Sequence, residues 1–409
     1  MVMLNEGGFV MLTGTAHLFI PGPTNVPADV QRAMIVPMQD HRAPEFGELL
    51  QPVLDGLKPV FGTREAQIAL LPGSGTAAWE AAITNTLNPG DKVLMARHGQ
   101  FSALWADMAL AMGLQVEIID VAWGAPCPVR EVERRLGADR HGAIKAVFVT
   151  HNETATGVTS DVGAVRHALD ACFHDAMLFV DGVSSIGSIP FEMDQWGVDM
   201  AVAGSQKGLM CPAGLGILAA SPRAIAAISA STMPRSFLDL RAMLAAHEGG
   251  SFCYTPPAQL LHGLRASLTR LQAEGLENVF ARHRRLAEGV RAGVAALGLS
   301  TVAEHRIFAS DTVTAIRTPA GVDAREVITI ARNRYNTHFG GGLGPLAGKA
   351  FRIGHLGDLN EGMCLTALGI AELALKAAGA PVTLGAGITA AQHIFAGEAQ
   401  APALSIAAE

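Results

Sequence analysis

Between residues 68 and 203 short apolar runs alternate with helical patterns, and clusters of turn residues separate them. The run 68–71 meets Pro72-Gly73-Ser74-Gly75-Thr76, and a helical pattern follows over 77–87. Asn88-Pro89-Gly90-Asp91 reads as a turn and 92–96 as the next strand. Further strands are expected at 145–150, 177–180 and 199–203, with a helical pattern between the first two. Strands that are apolar throughout and joined by helices belong to a mostly parallel sheet covered on both faces. Such a sheet takes its ligands at the C-terminal ends of its strands, where the polar clusters of this chain fall.

The 409 residues suffice for a large domain and a smaller one. We expect an N-terminal arm (1–27), a large domain (28–279), a small α/β domain (280–395) and a tail (396–409). The run Pro21-Gly22-Pro23-Thr24-Asn25-Val26-Pro27 can be neither helix nor central strand, so the arm should wrap a surface or line a cleft. A helical stretch over 271–297 should lead into the small domain. The residues before Met11 read as dispensable, and the Ala-rich end from about Ala396 as frayed.

A net charge of −7 and a pI of 6.1 give no basic surface for nucleic acid or an anionic membrane. No apolar stretch reaches the length of a spanning helix, and no secretory signal opens the chain. The five cysteines are scattered and odd in number, without a CxxC pair, and the fourteen histidines show no HxH or HExxH spacing. Neither a disulfide framework nor a metal site is expected, and the cytoplasm is the expected compartment.

Three clusters carry chemistry. Lys207, in Gly204-Ser205-Gln206-Lys207-Gly208, follows an apolar strand and small residues. At the mouth of the sheet, burial would lower its pKa and make the amine a nucleophile toward an aldehyde; alone, it reads first as a surface lysine in a turn. Asp181 ends the run Met177-Leu178-Phe179-Val180, where it is either an N-cap or Asx-turn residue or a buried carboxylate that keeps a pyridine nitrogen protonated. Gly73-Ser74-Gly75-Thr76, between strand and helix, offers backbone N–H groups and two hydroxyls to a phosphate. Gly73-x-Gly75-x-x-Ala78 also fits a dinucleotide fingerprint, with Arg97 placed for a 2′-phosphate, but that reading gives Asp181 and Lys207 no task. Phosphate site, ring-nitrogen partner and amine, in that order along one sheet, point to pyridoxal 5′-phosphate.

With these clusters in view, the sequence resembles the class V, fold-type I pyridoxal-phosphate aminotransferases, nearest to the serine–glyoxylate and alanine–glyoxylate branch. The resemblance runs from Phe19-Ile20-Pro21-Gly22-Pro23 to Arg352-Ile353-Gly354-His355-Leu356-Gly357. Its most specific stretches begin at Trp79-Glu80-Ala81-Ala82, His151-Asn152-Glu153-Thr154 and Asp181-Gly182-Val183-Ser184, with Gly204-Ser205-Gln206-Lys207 completing the set. It implies that Lys207 carries the cofactor, that Ser74, Gly75, Thr76 and Gln206 hold the phosphate, and that Thr154 bonds the ring hydroxyl. It further implies Asp181 at the ring nitrogen, Phe101 stacked on the ring, and Arg352 on the α-carboxylate of the substrate. Thr255 matches a residue that reaches across a dimer to the neighbour's phosphate, so a homodimer or higher homo-oligomer with shared sites is implied. Some relatives carry a tyrosine where this chain has Phe252; that hydroxyl is missing or comes from Tyr254.

His41 and Arg42, in Asp40-His41-Arg42, are candidates for contact with the substrate side chain, against a plain helix start with a solvated arginine. His151 is not taken as a catalytic base, because the amine of Lys207 is the group placed to move the proton. The expected reaction is transamination from a small L-amino acid, serine first, to glyoxylate, giving glycine and hydroxypyruvate. Alanine or aspartate donors and pyridoxamine–pyruvate transfer remain alternatives on the same site. A lyase or cysteine desulfurase is a rival for which Cys253 is the cysteine to test. A binding protein that kept the fold is a further one, against which Lys207, Asp181 and Arg352 together argue.

Overall fold

The computed structural model describes residues 2–3, 9–10 and 14–398. The expectation for the segment before Met11 lies largely outside the described residues, as does the tail beyond Glu398. In chain order the strands that matter are β1 (His17–Phe19), β2 (Gln67–Gly73), β3 (Lys92–Arg97), β4 (Gln115–Asp120), β5 (Ile144–Thr150) and β6 (Met177–Asp181). They continue with β7 (Met200–Gly204), β8 (Gly214–Ala220), β9 (Val313–Arg317), β10 (Thr337–Gly341) and β11 (Ala350–Gly354).

Seven strands form the main sheet in the order β2-β8-β7-β6-β5-β3-β4. All run in one direction except β8, which is antiparallel to both β7 and β2. The expected parallel sheet is therefore present, with one reversed strand. Every residue of β6 and β7 is buried, as the unbroken apolar runs require when helices cover both faces. The expected strands were each found to within two residues. β4 and β8 were not anticipated: Gln115–Asp120 lies near the edge with mixed polarity, and Gly214–Ala220 carries two glycines that blur its pattern.

Two helices pack on this sheet through an aromatic column. Trp79, on the helix Gly75–Thr86, stacks on Trp105 of the helix Gln100–Ala111, with ring centroids 5.7 Å apart. Trp105 meets Phe148 of β5 at 4.5 Å, and Phe148 meets Phe179 of β6 at 4.8 Å. Both helices begin at the C-terminal rim of the sheet, so the column fixes where their N-termini point.

The helical stretch expected over 271–297 is two helices, Ala258–Glu274 and Leu276–Ala296. They break at Gly275, whose φ of +82° a side chain would strain. Beyond them β9, β11 and β10 form an antiparallel sheet that β1 joins alongside β10. The arm is thus not only a strap: its residues His17–Phe19 complete the second sheet, and Phe19 is buried in the second core. One hydrophobic core gathers side chains from Val30 to Phe280, the other Phe19 with side chains from Leu286 to Ala391. The helix Ala386–Ala396 packs on the helix Leu276–Ala296, so order extends to the start of the expected tail. No helix among the described residues is long and apolar enough to cross a membrane.

Trp105 is fully buried at the centre of the aromatic column. Trp105→Ala should therefore lower the free energy of unfolding by about 3–5 kcal/mol, read as a shift in urea midpoint at unchanged m-value.

Candidate active site

Because six strands point the same way, the residues that follow them share one rim. Ser74 follows β2, Phe101 follows β3, Thr154 follows β5, Asp181 ends β6, and Lys207 follows β7. Strands β6 and β7 are hydrogen-bonded neighbours with Asp181 opposite Val202, so Asp181 and the loop to Lys207 lie side by side.

Ser74 is the N-cap of the helix that starts at Gly75, and its side chain makes no capping bond. The first N–H groups of that helix therefore keep their capacity to bind an anion, helped by the helix dipole. Gly75 admits Val183 here: a Cβ would lie 2.6 Å from Val183 Cγ2. A Cβ on Gly204 would lie 2.7 Å from Gln206 Oε1 and 3.6 Å from Gly75 N, which brings Gln206 beside the helix start. Gln206 Oε1 is itself buried without a hydrogen-bond partner.

Asp181 is buried, and burial raises its carboxyl to about 7, against the Val183 N–H and the nearby Lys207, which favour the charged form. Its Oδ1 accepts from Val183 N at 2.9 Å, so the Asx turn weighed as the alternative reading is real and coexists with burial. Lys207 donates to the carbonyl of Pro21 at 2.5 Å. Burial lowers its pKa to about 8; Arg352 adds to the lowering and Asp181 opposes it. The arm lies against the loop of Lys207: Thr24 N bonds Gln206 O at 3.1 Å and Thr24 Oγ1 bonds Lys207 O at 3.1 Å. Gly22 must lack a side chain, since a Cβ would sit 2.4 Å from Lys207 Nζ.

Arg352, on β11, is only 7% exposed and forms no ion pair with a carboxylate among the described residues. Its Nε donates to Gly341 O at 2.9 Å and its Nη1 to Thr154 O at 3.1 Å. Burial lowers its pKa to about 10, and the Glu153 carboxylate opposes the lowering. Thr154 Oγ1 donates to Ser184 Oγ at 2.7 Å. Asn152 ties Ser184 to Thr312, so a buried hydroxyl network reaches from the large core toward the small sheet. Phe101 is half-buried at the start of its helix, and its N–H points to Glu153, which the sequence reading quoted but gave no task.

The remaining candidates are placed apart from this cluster. Thr255 is exposed, and its side chain makes no hydrogen bond among the described residues. Beside it Tyr254 stacks on Phe237 at 5.0 Å, while Phe252 is buried against Phe46 and His247. No hydrogen bond or ion pair joins His41 or Arg42 to Lys207, Asp181 or Arg352; the Arg42 N–H bonds Asp40 Oδ1 at 2.9 Å. His151 is buried, its pKa lowered to about 4 by burial, and its Nδ1 meets Ser185 Oγ at 2.9 Å, which suits an orienting role. The rivals fare poorly. Arg97 is engaged by Asp120 on the neighbouring strand, with Nε to Oδ1 at 2.8 Å. The Cys253 thiol faces Met243 Sδ at 3.7 Å and is raised by burial and by the Asp239 carboxylate, which disfavours the thiolate a desulfurase needs. No cluster of metal-ligating side chains occurs among the described residues.

An α/β sheet that presents a partly buried lysine, a buried aspartate and an uncapped helix start on one rim is the architecture of the fold-type I transferases. The family model "Aminotransferase class-V" matches residues 22–339, and the chain belongs to that family of pyridoxal-phosphate enzymes. It is 51% identical over 384 residues to an L-aspartate–glyoxylate aminotransferase of Paracoccus denitrificans, covering 94% of this chain and 97% of that one. Against a serine–glyoxylate aminotransferase of Hyphomicrobium methylovorum it is 52% identical over 397 residues, covering 97% and 98%. The crystal structure of pyridoxamine–pyruvate aminotransferase from Mesorhizobium loti superposes with a TM-score of 0.87 at 31% identity, covering 94% of this chain and 97% of that one. The site fits the cofactor: an uncapped helix start with free amide donors, a carboxylate held near neutrality and a lysine of lowered pKa are what its phosphate, ring nitrogen and aldehyde need.

The raised Asp181 has a consequence for stability. With about 7 in the folded chain against about 3.9 unfolded, the folded state holds a proton that the unfolded state has lost between those values. Stability from this group is therefore complete below about pH 4 and is lost as pH rises to 7. In the cofactor-free protein, the unfolding free energy of wild type minus that of Asp181→Asn should fall over this range; a flat or rising difference in urea melts would show that Asp181 is not raised.

Proposed function

We propose that the chain transfers the amino group of a small L-amino acid to glyoxylate, with serine as the preferred donor and hydroxypyruvate and glycine as products. The observation that carries this reading is that Lys207 and Asp181 share one rim, and the guanidinium of Arg352 reaches that rim from the second sheet through Thr154 O. Bound pyridoxal phosphate supplies an electron sink that acidifies the Cα–H of the amino acid attached to it.

In this reading the protein does the rest. The N–H groups and hydroxyls of Ser74, Gly75 and Thr76 hold the phosphate, with Gln206 beside them. Asp181 keeps the ring nitrogen protonated, Thr154 bonds the ring hydroxyl, and Phe101 covers one ring face. Arg352 binds the α-carboxylate through its planar fork and so orients the Cα–H bond. The amine of Lys207 takes the proton from Cα and returns it at the C4′ carbon, and its lowered pKa supports service as a base near neutral pH. Thr255, exposed and unbonded in one chain, would complete the phosphate site of a second subunit in a homodimer, and the large domain (28–279) and small domain (280–395) would close around the substrate. His41 and Arg42 are the candidates for its side chain. A cytoplasmic location fits the five free cysteines.

Serine is preferred on charge. Among the described residues Arg352 is the sole guanidinium bonded into the cluster, and the distal carboxylate of aspartate would need a second cation, whereas a hydroxyl needs one hydrogen bond. The aspartate reading rests on His41 or Arg42; Arg42 is exposed and forms no ion pair among the described residues. Mixing the holoenzyme separately with L-serine, L-alanine and L-aspartate, and following the loss of visible cofactor absorbance and its return with glyoxylate, separates the donors. Serine should act fastest; a preference for aspartate would reassign the donor and leave the site intact. Lys207→Ala should slow the half-reaction by about 10²- to 10⁴-fold. Arg352→Lys should raise the KM for the donor by about 10- to 100-fold, because the bidentate pair is lost.

A further inference from the structure

The least expected group on the rim is Glu153. It is fully buried and forms no ion pair with any basic side chain among the described residues. Histidine 98, buried nearby, is no counter-ion, since burial lowers its pKa. The carboxylate is held instead by amides from two separate segments. Its Oε2 accepts from Phe101 N at 3.1 Å and from Ser102 N at 2.9 Å, and the Ser102 hydroxyl lies 3.1 Å away. Its Oε1 accepts from Ala155 N at 3.1 Å.

Helices usually cap themselves with a local Ser, Thr, Asp or Asn. Here the N-cap is Gly99, which has no side chain to offer, and the capping carboxylate comes from another strand end, 51 and 52 positions along the chain. Gly99 is what admits it: a Cβ there would lie 2.2 Å from Glu153 Cγ. A buried anion held by backbone N–H groups and one hydroxyl, without an ion-pair partner among the described residues, is costly to desolvate, and a local cap would serve helix stability alone. What the long-range cap adds is a fixed relation between two segments. One begins with Phe101; the other carries Thr154, whose carbonyl receives Arg352 Nη1 at 3.1 Å.

We propose that Glu153 is a positioning residue of the active site, locking the helix start that carries Phe101 to the loop that carries Thr154. This rests on the roles assigned above to Phe101, Thr154 and Arg352. Glu153 touches neither cofactor nor substrate in this account; it acts through the residues it holds. Glu153→Gln keeps the shape but turns an amide N–H toward backbone N–H donors. Gly99→Ala keeps the carboxylate but displaces it. Both changes should loosen the same joint.

The test uses the full-length protein loaded with pyridoxal 5′-phosphate. Visible circular dichroism of the bound cofactor reports its orientation, equilibrium titration reports its affinity, and the serine half-reaction at saturating donor reports the rate. Thermal unfolding of the cofactor-free protein controls for folding. Glu153→Gln and Gly99→Ala should both weaken the dichroic band and slow the half-reaction by about 10- to 100-fold, the cost of misplacing reacting groups by around an ångström. Combined with Phe101→Ala, Glu153→Gln should add much less than its effect alone, because the joint then has little left to hold. Full dichroism and rate in both single variants would overturn the proposal, and so would losses that simply multiply in the double variant. A wild-type protein that binds the cofactor and reacts with serine separates that failure from failure of the functional reading; a wild type that binds no cofactor would overturn both.

Discussion

Six strands running in one direction must all end on the same side of the sheet, and the rest of this molecule is organised around that rim. The strands themselves are apolar because both faces are covered. Polar groups are thereby driven to the ends, where chain leaves the sheet and helices begin. Each crossover also aims a helix N-terminus at the rim, so amide donors collect where anions can be held. The reversed strand β8 fits this plan, because its hairpin-like pairing with β7 closes the loop that carries Lys207: Ser205 N bonds Leu215 O at 3.0 Å. Direction in the sheet thus explains why residues from positions 74 to 207 share one small volume.

Burial then sets the chemistry of that volume. Asp181 and Lys207 are each pushed toward their neutral forms by desolvation, and each is pulled back by the other's charge. The pair sits near neutrality, where a carboxylate can respond to a ring nitrogen and an amine can exchange protons. Arg352 and Glu153 follow a different rule. Neither forms an ion pair with an opposite side chain among the described residues; each is bonded by backbone groups, carbonyls for the arginine and amides for the glutamate. An arginine bonded to carbonyls through Nε and Nη1 keeps its charge uncompensated by a neighbouring carboxylate, whereas a salt bridge would have neutralised it.

Much of this was legible because it depends on local pattern. The strand runs of the main sheet, the uncapped glycine-rich turn at 73–76, Asp181 at the end of an apolar run and Lys207 among small residues all carry their signal within a few positions. What was not legible depends on distance along the chain. β8 looks like a glycine-broken stretch until β2 and β7 flank it, and β1 is too short to announce itself without β10 alongside. Glu153 lies in a motif that was recognised, yet its partners Phe101 and Ser102 are on another strand end. A clue was present in Gly99, a helix start with no capping side chain, which implies a cap from elsewhere. The exposed Thr255 and the unlinked His41 and Arg42 could only be assigned through resemblance, since one chain brings neither segment to the cluster.

The arm binds these parts into one site. After completing the small sheet at His17–Phe19, it passes between that sheet and the loop of Lys207, and glycines make the passage possible. A Cβ on Gly354 would lie 2.5 Å from Ile20 O, one on Gly340 would lie 2.8 Å from Pro21 Cδ, and one on Gly22 would collide with Lys207. Gly340 also lies under Arg352, with its Cβ position 3.4 Å from Nε. Arg352 on β11 and Lys207 after β7 thus each pack against the segment Ile20–Gly22 or a glycine that touches it. Any side chain added at these glycines would have to move the arm, and with it either Arg352 or Lys207, so the arm couples the two sheets through backbone rather than through side chains that rearrange easily.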